Sequence, residues 1–348
     1  MSEHDSIESS AGDPVEDIEV PSAGDFQPLA GPTQPPKAFD AAADASAAER
    51  VDVPGFLPFP GAGKGEREPR LPAFHSDWRS PRIPHLGHLC FLGVLALFGL
   101  LAAILLTRSA VYFRLFGVST LKQAGTDIHY TLGSMAAIYL LTLGACVLLF
   151  PLIWHQGFFA GIEWRGATAL RLRYRLFGAA LVCFLLAMID QFLLPGPAEA
   201  PIDKLFQTPS AAWLLFAFGV TFAPFFEEMA YRGFLLPALA TAADWLTEQT
   251  SGQPPRPLKA DGHPQWSVHA MVIASVFTSI PFALMHADQT AHAAGPFVLL
   301  ICVSLILCLV RLATRSLAAC VVVHASYNFL LFSLMLVSTD GFRHLDKM

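Results

Sequence analysis

The sequence predicts an all-α fold: a polytopic membrane helical bundle of seven, at most eight, transmembrane helices behind a disordered N-terminal tail. Three observations carry this. Of 348 residues, 54% are hydrophobic and only 14% charged, with mean hydropathy +0.49, whereas a soluble domain carries about a quarter charged residues. Apolar runs of about 20 residues recur, each long enough for a hydrocarbon core of about 30 Å. The net charge of −6 is unevenly placed, because more than half of the acids and half of the prolines fall in residues 1–84.

That first segment has no periodic apolar pattern and reads as a disordered, Pro- and acid-rich tail. Its start, MSEHDSIESS, lacks the basic and apolar regions of a signal peptide. VPGFLPFPG at 53–61 reads as a proline-rich spacer. The apolar spans follow near 87–106, 132–154, 177–195, 211–239, 268–286, 296–313 and 316–338, within a transmembrane domain at 85–338, and a short tail occupies 339–348. The fourth span is long and contains Pro224 and Pro237, which kink helices. No internal repeat marks an inverted-repeat transporter. The six cysteines lie in apolar segments without a CxxC pair and read as small buried residues. With the N-terminus in the cytoplasm, thirteen flanking Lys and Arg fall inside and six outside, which selects that orientation.

The polar groups inside these spans need a reason, since an ionised side chain at the bilayer centre costs at least about 2.5 kcal/mol. FAPFFEEMAYRGFLLPAL at 222–239 places Glu227, Glu228 and Arg232 in the fourth span. Glu228 and Arg232 are four apart and form a structural ion pair on one helix face. Glu227, about 100° round the helix, is left without that partner. FALMHA places His286 at the end of the fifth span, and HASYN places His324 and Asn328 four apart on the seventh. A carboxylate and an imidazole can activate a water against a carbonyl carbon, while a second imidazole and a carboxamide stabilise the oxyanion. The same Glu227, His286 and His324 also resemble a His2Glu zinc set, so metal-assisted hydrolysis by a divalent ion such as zinc is the alternative to a cofactor-free reaction. HExxH, GxSxG and GxGD are absent. Asp190, His263, His269, His292, Asp288 and Arg311 sit in loops or at helix ends and read as interfacial residues.

The ordered motifs EExxxR (Glu227 to Arg232), FxxxH (Phe282 to His286) and HxxxN (His324 to Asn328) resemble the CPBP family, the CAAX prenyl endopeptidases and bacteriocin-processing or Abi-type intramembrane proteases, over about 210–332. The resemblance implies an intramembrane endopeptidase with Glu227 as general base paired with His286, and with His324 and Asn328 as oxyanion donors. Glu228 and Arg232 are then architectural. It implies the lipid bilayer and a protein or peptide substrate as partners, and no nucleic acid; the oligomeric state stays open. Composition and tail read as bacterial, hence a multi-pass protein of the plasma (inner) membrane. Readings from other classes are a non-proteolytic scaffold or immunity protein and a proton-coupled transporter. One geometric conflict stands. His324 lies about nine residues into its span and His286 about nineteen into its own, a depth difference of about 15 Å. The set meets only if the fifth helix starts well below the membrane surface, or if helices tilt or break.

Overall fold

The computed structural model describes residues 84–193, 205–206, 208–253 and 265–345. The expected disordered tail, its VPGFLPFPG spacer and His263 lie outside them. Among the described residues every regular element is helical, and seven helices are long and apolar enough to span a bilayer. They are α1 (Leu86–Tyr112), α2 (Ile128–Trp154), α3 (Arg173–Leu193), α4 (Pro209–Ser251), α5 (Val268–Met285), α6 (Ala294–Thr314) and α7 (Leu317–Ser338). The protein is a multi-pass membrane protein.

Polar residues at the ends set the boundaries. Thr208, Ser267 and Ser316 cap the first turns of α4, α5 and α7 by accepting from the amides of Ala211, Ala270 and Ala319. Asp127 does the same for α2. Helices α1 and α2 pair as an antiparallel hairpin, sealed at one end by Phe150, Trp154, Phe158 and Phe234, with Phe150 and Trp154 4.4 Å apart between ring centroids. Helices α3, α6 and α7 form a second core around Cys183, Val303, Leu307, Cys320 and Tyr327. Four of the cysteines are buried, as the sequence predicts, while Cys302 is half-buried and Cys90 exposed. Past α7, Phe342 is fully buried against the ring of Trp213.

The 43-residue α4 would be about 64 Å long as one straight helix. It is broken twice. Thr221 leaves helical geometry (φ −114°, ψ −69°) three residues before Pro224, and Met229–Leu235 winds as a π-helix. In that wider register the Leu236 amide donates to Tyr231 O. The next amide in the same register would belong to Pro237, which has none, so the Arg232 carbonyl loses its helical partner. Arg311 Nε donates to it instead at 3.1 Å.

These breaks resolve the depth conflict. Gly233 and Phe234 pack on Leu317, where α7 begins. The remaining stretch, Leu236–Ser251, runs on past that level together with the first turns of α5. Asp244 accepts from the Ser267 amide at 2.8 Å, and Trp266 Nε1 donates to Thr241 Oγ1 at 3.2 Å. Helix α5 therefore starts early, as one of the expected solutions required, and its far end arrives level with the first turns of α7.

Candidate active site

Three chain segments bring the predicted polar groups together. Glu227 Oε2 lies 3.8 Å from His286 Nε2 and 3.8 Å from His324 Nε2. That carboxylate oxygen is buried and has no hydrogen-bond partner. A buried acceptor without a donor is unusual and calls for a cause. Atoms 3.8 Å apart can share one water at about 2.8 Å from each.

Both imidazoles are held by their other nitrogen. His286 Nδ1 lies 2.9 Å from Phe282 O, one turn back at the end of α5. A carbonyl can only accept, so Nδ1 carries the proton and Nε2 faces Glu227 with its lone pair in the neutral ring. His324 Nδ1 lies 2.8 Å from Glu228 Oε1. Phe282 spaces the pair, its ring lying 5.2 Å from that of His286 and 5.9 Å from that of His324.

Behind the histidines the charges are paired, while Glu228 Oε2 and Arg232 Nε are buried without a hydrogen-bond partner. Arg232 Nη1 is 2.9 Å from Glu228 Oε1, and both side chains are completely buried. The ion pair expected from the i, i+4 spacing is present. Two further contacts were not legible from spacing. Arg232 Nη2 donates to Ser304 Oγ at 2.6 Å and to Ser304 O at 3.1 Å, and its guanidinium lies 4.5 Å over the Phe282 ring, a cation–π contact. Ser304 carries no signal of its own in the sequence, being one serine in an apolar helix 72 positions away.

Arg311 corrects the sequence reading. It is buried rather than interfacial, because it serves the carbonyl orphaned by Pro237 and pairs with Glu163 Oε2 at 2.7 Å. Glu163 also receives Arg165 at 3.0 Å and Arg315 at 3.2 Å. Of the other residues read as interfacial, His292 and Asp288 are exposed and pair at 3.0 Å, His269 is exposed, and Asp190 is partly exposed near the end of α3.

Asn328 lies one turn beyond His324 and donates from Nδ2 to Gly219 O at 2.7 Å, at the α4 break. It ties α7 to the segment that delivers Glu227 and keeps a second amide hydrogen for other use. A cavity of about 300 Å3 lies between α4 and the α1–α2 pair. Its lining is almost wholly apolar and includes Gly93, Ala96, Tyr139, Phe226, Ala230 and Tyr231, the α4 residues flanking Glu227.

A zinc ion does not fit the donors as they stand. Bonds of about 2.0–2.1 Å at the tetrahedral angle put neighbouring ligand atoms about 3.3 Å apart, and both Glu227-to-histidine edges measure 3.8 Å. Among the described residues no group of three His, Cys, Asp or Glu has metal-site spacing.

Compared with known proteins, residues 209–330 match the family described as "Type II CAAX prenyl endopeptidase Rce1-like". No curated protein and no solved structure matches the chain. The matched segment contains Glu227, Glu228, Arg232, His286, His324 and Asn328; α1, α2 and α3 lie before it.

Proposed function

We propose, from the premise that residues 209–330 form a Rce1-like domain of the CPBP family of intramembrane proteases, that the protein cleaves a peptide bond of a membrane-associated or precursor polypeptide by direct attack of water. The observation that carries this reading is the unpartnered Glu227 Oε2, 3.8 Å from both histidine Nε2 atoms.

In this mechanism a water sits between Glu227 and His286, and Glu227 is the general base. As the water oxygen bonds to the scissile carbonyl carbon, its proton passes to the Glu227 carboxylate, with His286 Nε2 orienting the second hydrogen. The carbonyl π electrons move to the oxygen. The imidazolium form of His324, which carries hydrogen on Nε2 as well as on Nδ1, and the free amide hydrogen of Asn328 stabilise the resulting oxyanion, a contribution of about 10²–10³ in rate for one well-placed donor. Collapse of the tetrahedral species breaks the C–N bond, and Glu227 returns its proton to the leaving amine. Glu227 ends as it began, and the water is divided between the new carboxyl and amino termini. No step needs a metal or other cofactor.

The apolar cavity beside Glu227 supports a substrate whose residues near the cut are hydrophobic, as expected for a polypeptide that approaches within the bilayer. The Lys/Arg bias puts the N-terminus in the cytoplasm, and the site then lies toward the cytoplasmic half of the membrane.

The test is a comparison of protein termini in three isogenic host strains: wild type, deletion and Glu227→Gln. Termini that vanish in both altered strains identify substrate and cut site. A point-variant strain indistinguishable from wild type, beside a deletion with a phenotype, would leave a scaffold role in place of proteolysis.

A further inference from the structure

We infer that Glu228 is a positioning residue for catalysis, acting through His324, and not only one half of a structural ion pair; this rests on the protease reading of the site. The Glu228 Oε1 atom meets two donors at once, Arg232 Nη1 at 2.9 Å and His324 Nδ1 at 2.8 Å. If helix architecture were its whole purpose, the arginine alone would satisfy the charge. The second contact crosses from α4 to α7, between residues 96 positions apart.

The chemical consequence follows from the donor inventory. An ionised carboxylate only accepts, so His324 Nδ1 must carry a proton. This fixes the ring orientation, turns Nε2 toward Glu227 Oε2, and favours the imidazolium, whose Nε2–H is the donor that an oxyanion needs. An imidazole released from Glu228 would rotate about its side chain and, in its neutral Nδ1–H form, present a bare Nε2 that cannot donate to the reacting carbonyl oxygen. Arg232 then has a second duty. Held by Ser304 and by the Phe282 face, it fixes the carboxylate that fixes the histidine. The side-chain order Ser304, Arg232, Glu228, His324 thus runs from α6 through α4 to α7 and stops at the gap where a water would sit. His286 has its ring held more cheaply, through the carbonyl of its own helix at Phe282. His324 lies mid-helix, where carbonyls are occupied by the helix itself, so it has to borrow an acceptor from a neighbour.

The test separates positioning from folding. Replacing both charges, Glu228→Leu with Arg232→Met, leaves no buried charge unpaired and is expected to fold, since apolar replacement of a buried ion pair is often neutral or stabilising. Purified full-length protein in detergent is compared with wild type by thermal melting, by 15N spectra of labelled histidines with His324 assigned through its own substitution, and by kinetics on the polypeptide found in the termini comparison. Expected are a normal melt, loss of the Nδ1-protonated signature at His324, and kcat lower by roughly 100-fold with KM little changed. Glu228→Asp keeps the pair with Arg232 while withdrawing the carboxylate from the ring, and is expected to shift the same two readouts by less. It serves alone if the double variant does not fold. An unchanged His324 signature, or an unchanged kcat with that signature lost, in a folded variant overturns the inference. Wild-type protein that shows no Glu227-dependent cleavage sinks the protease reading instead, and the histidine spectra still decide whether Glu228 sets the protonation of His324.

Discussion

Two parts of this bundle meet the same bilayer with opposite chemistry. The α1–α2 hairpin is held by aromatic and aliphatic packing, with Phe150 and Trp154 sealing one end. The α4–α7 part is held by buried charges and hydrogen bonds as well, with Arg232 and Glu228 completely buried. Lipid tails are as apolar as leucine, so packing in a membrane gains dispersion rather than hydrophobic free energy, and many small contacts share the load. A buried charge does not share. Each charge depends on a specific opposite charge, and losing one leaves the other stranded in low dielectric. The polar half is therefore the more brittle, and it is also where a reaction needs groups fixed in advance.

Predictions that strain this contrast can be ranked. The largest effect belongs to Glu227→Gln, which removes the base and is expected to lower cleavage by about 10²–10⁴-fold while the melt in detergent stays within a degree or two of wild type. A parallel fall in the melt would mean that Glu227 belongs to the structural network after all. Next comes Arg232→Ala, which strands Glu228 and is expected to cost about 3–5 kcal/mol. Phe150→Ala removes a fully buried ring and is expected to cost less, about 2 kcal/mol, because lipid contributes no hydrophobic penalty and the loss is one of packing. The two melts measured side by side decide the comparison, and the reverse order would show packing to dominate in both halves.

Within the apolar half, Gly99→Ala brings a Cβ to 2.6 Å from Thr142 Oγ1 and 3.1 Å from Ile138 O on α2. Something must move, at a cost of about 1–3 kcal/mol. Cleavage per folded molecule is expected to stay at the wild-type level, which a titration of activity against folded fraction reads directly. The smallest effect is Ser316→Ala. Its hydroxyl accepts from the Ala319 amide and donates to Arg165 O, so its loss costs about 1 kcal/mol and lowers the melt slightly. A larger drop would show that the Glu163 loop depends on this one tie.

The sequence by itself determined the spans, because length and apolarity are local properties. It also determined the Glu228–Arg232 pair, whose partners are one helical turn apart, and it singled out Glu227, His286 and His324, since ionisable side chains in a membrane stand out. What it could not contain is distance between helices. Ser304 and Arg311 look ordinary along the chain; they matter because a π-helical turn followed by Pro237 orphans the Arg232 carbonyl and because α6 passes beside it. His286 and His324 look mismatched in depth when each span is counted from its own start. They meet because α4 continues past the beginning of α7 and carries the start of α5 with it. Local chemistry chose the groups, and the unequal lengths of packed helices decided which of them face one another.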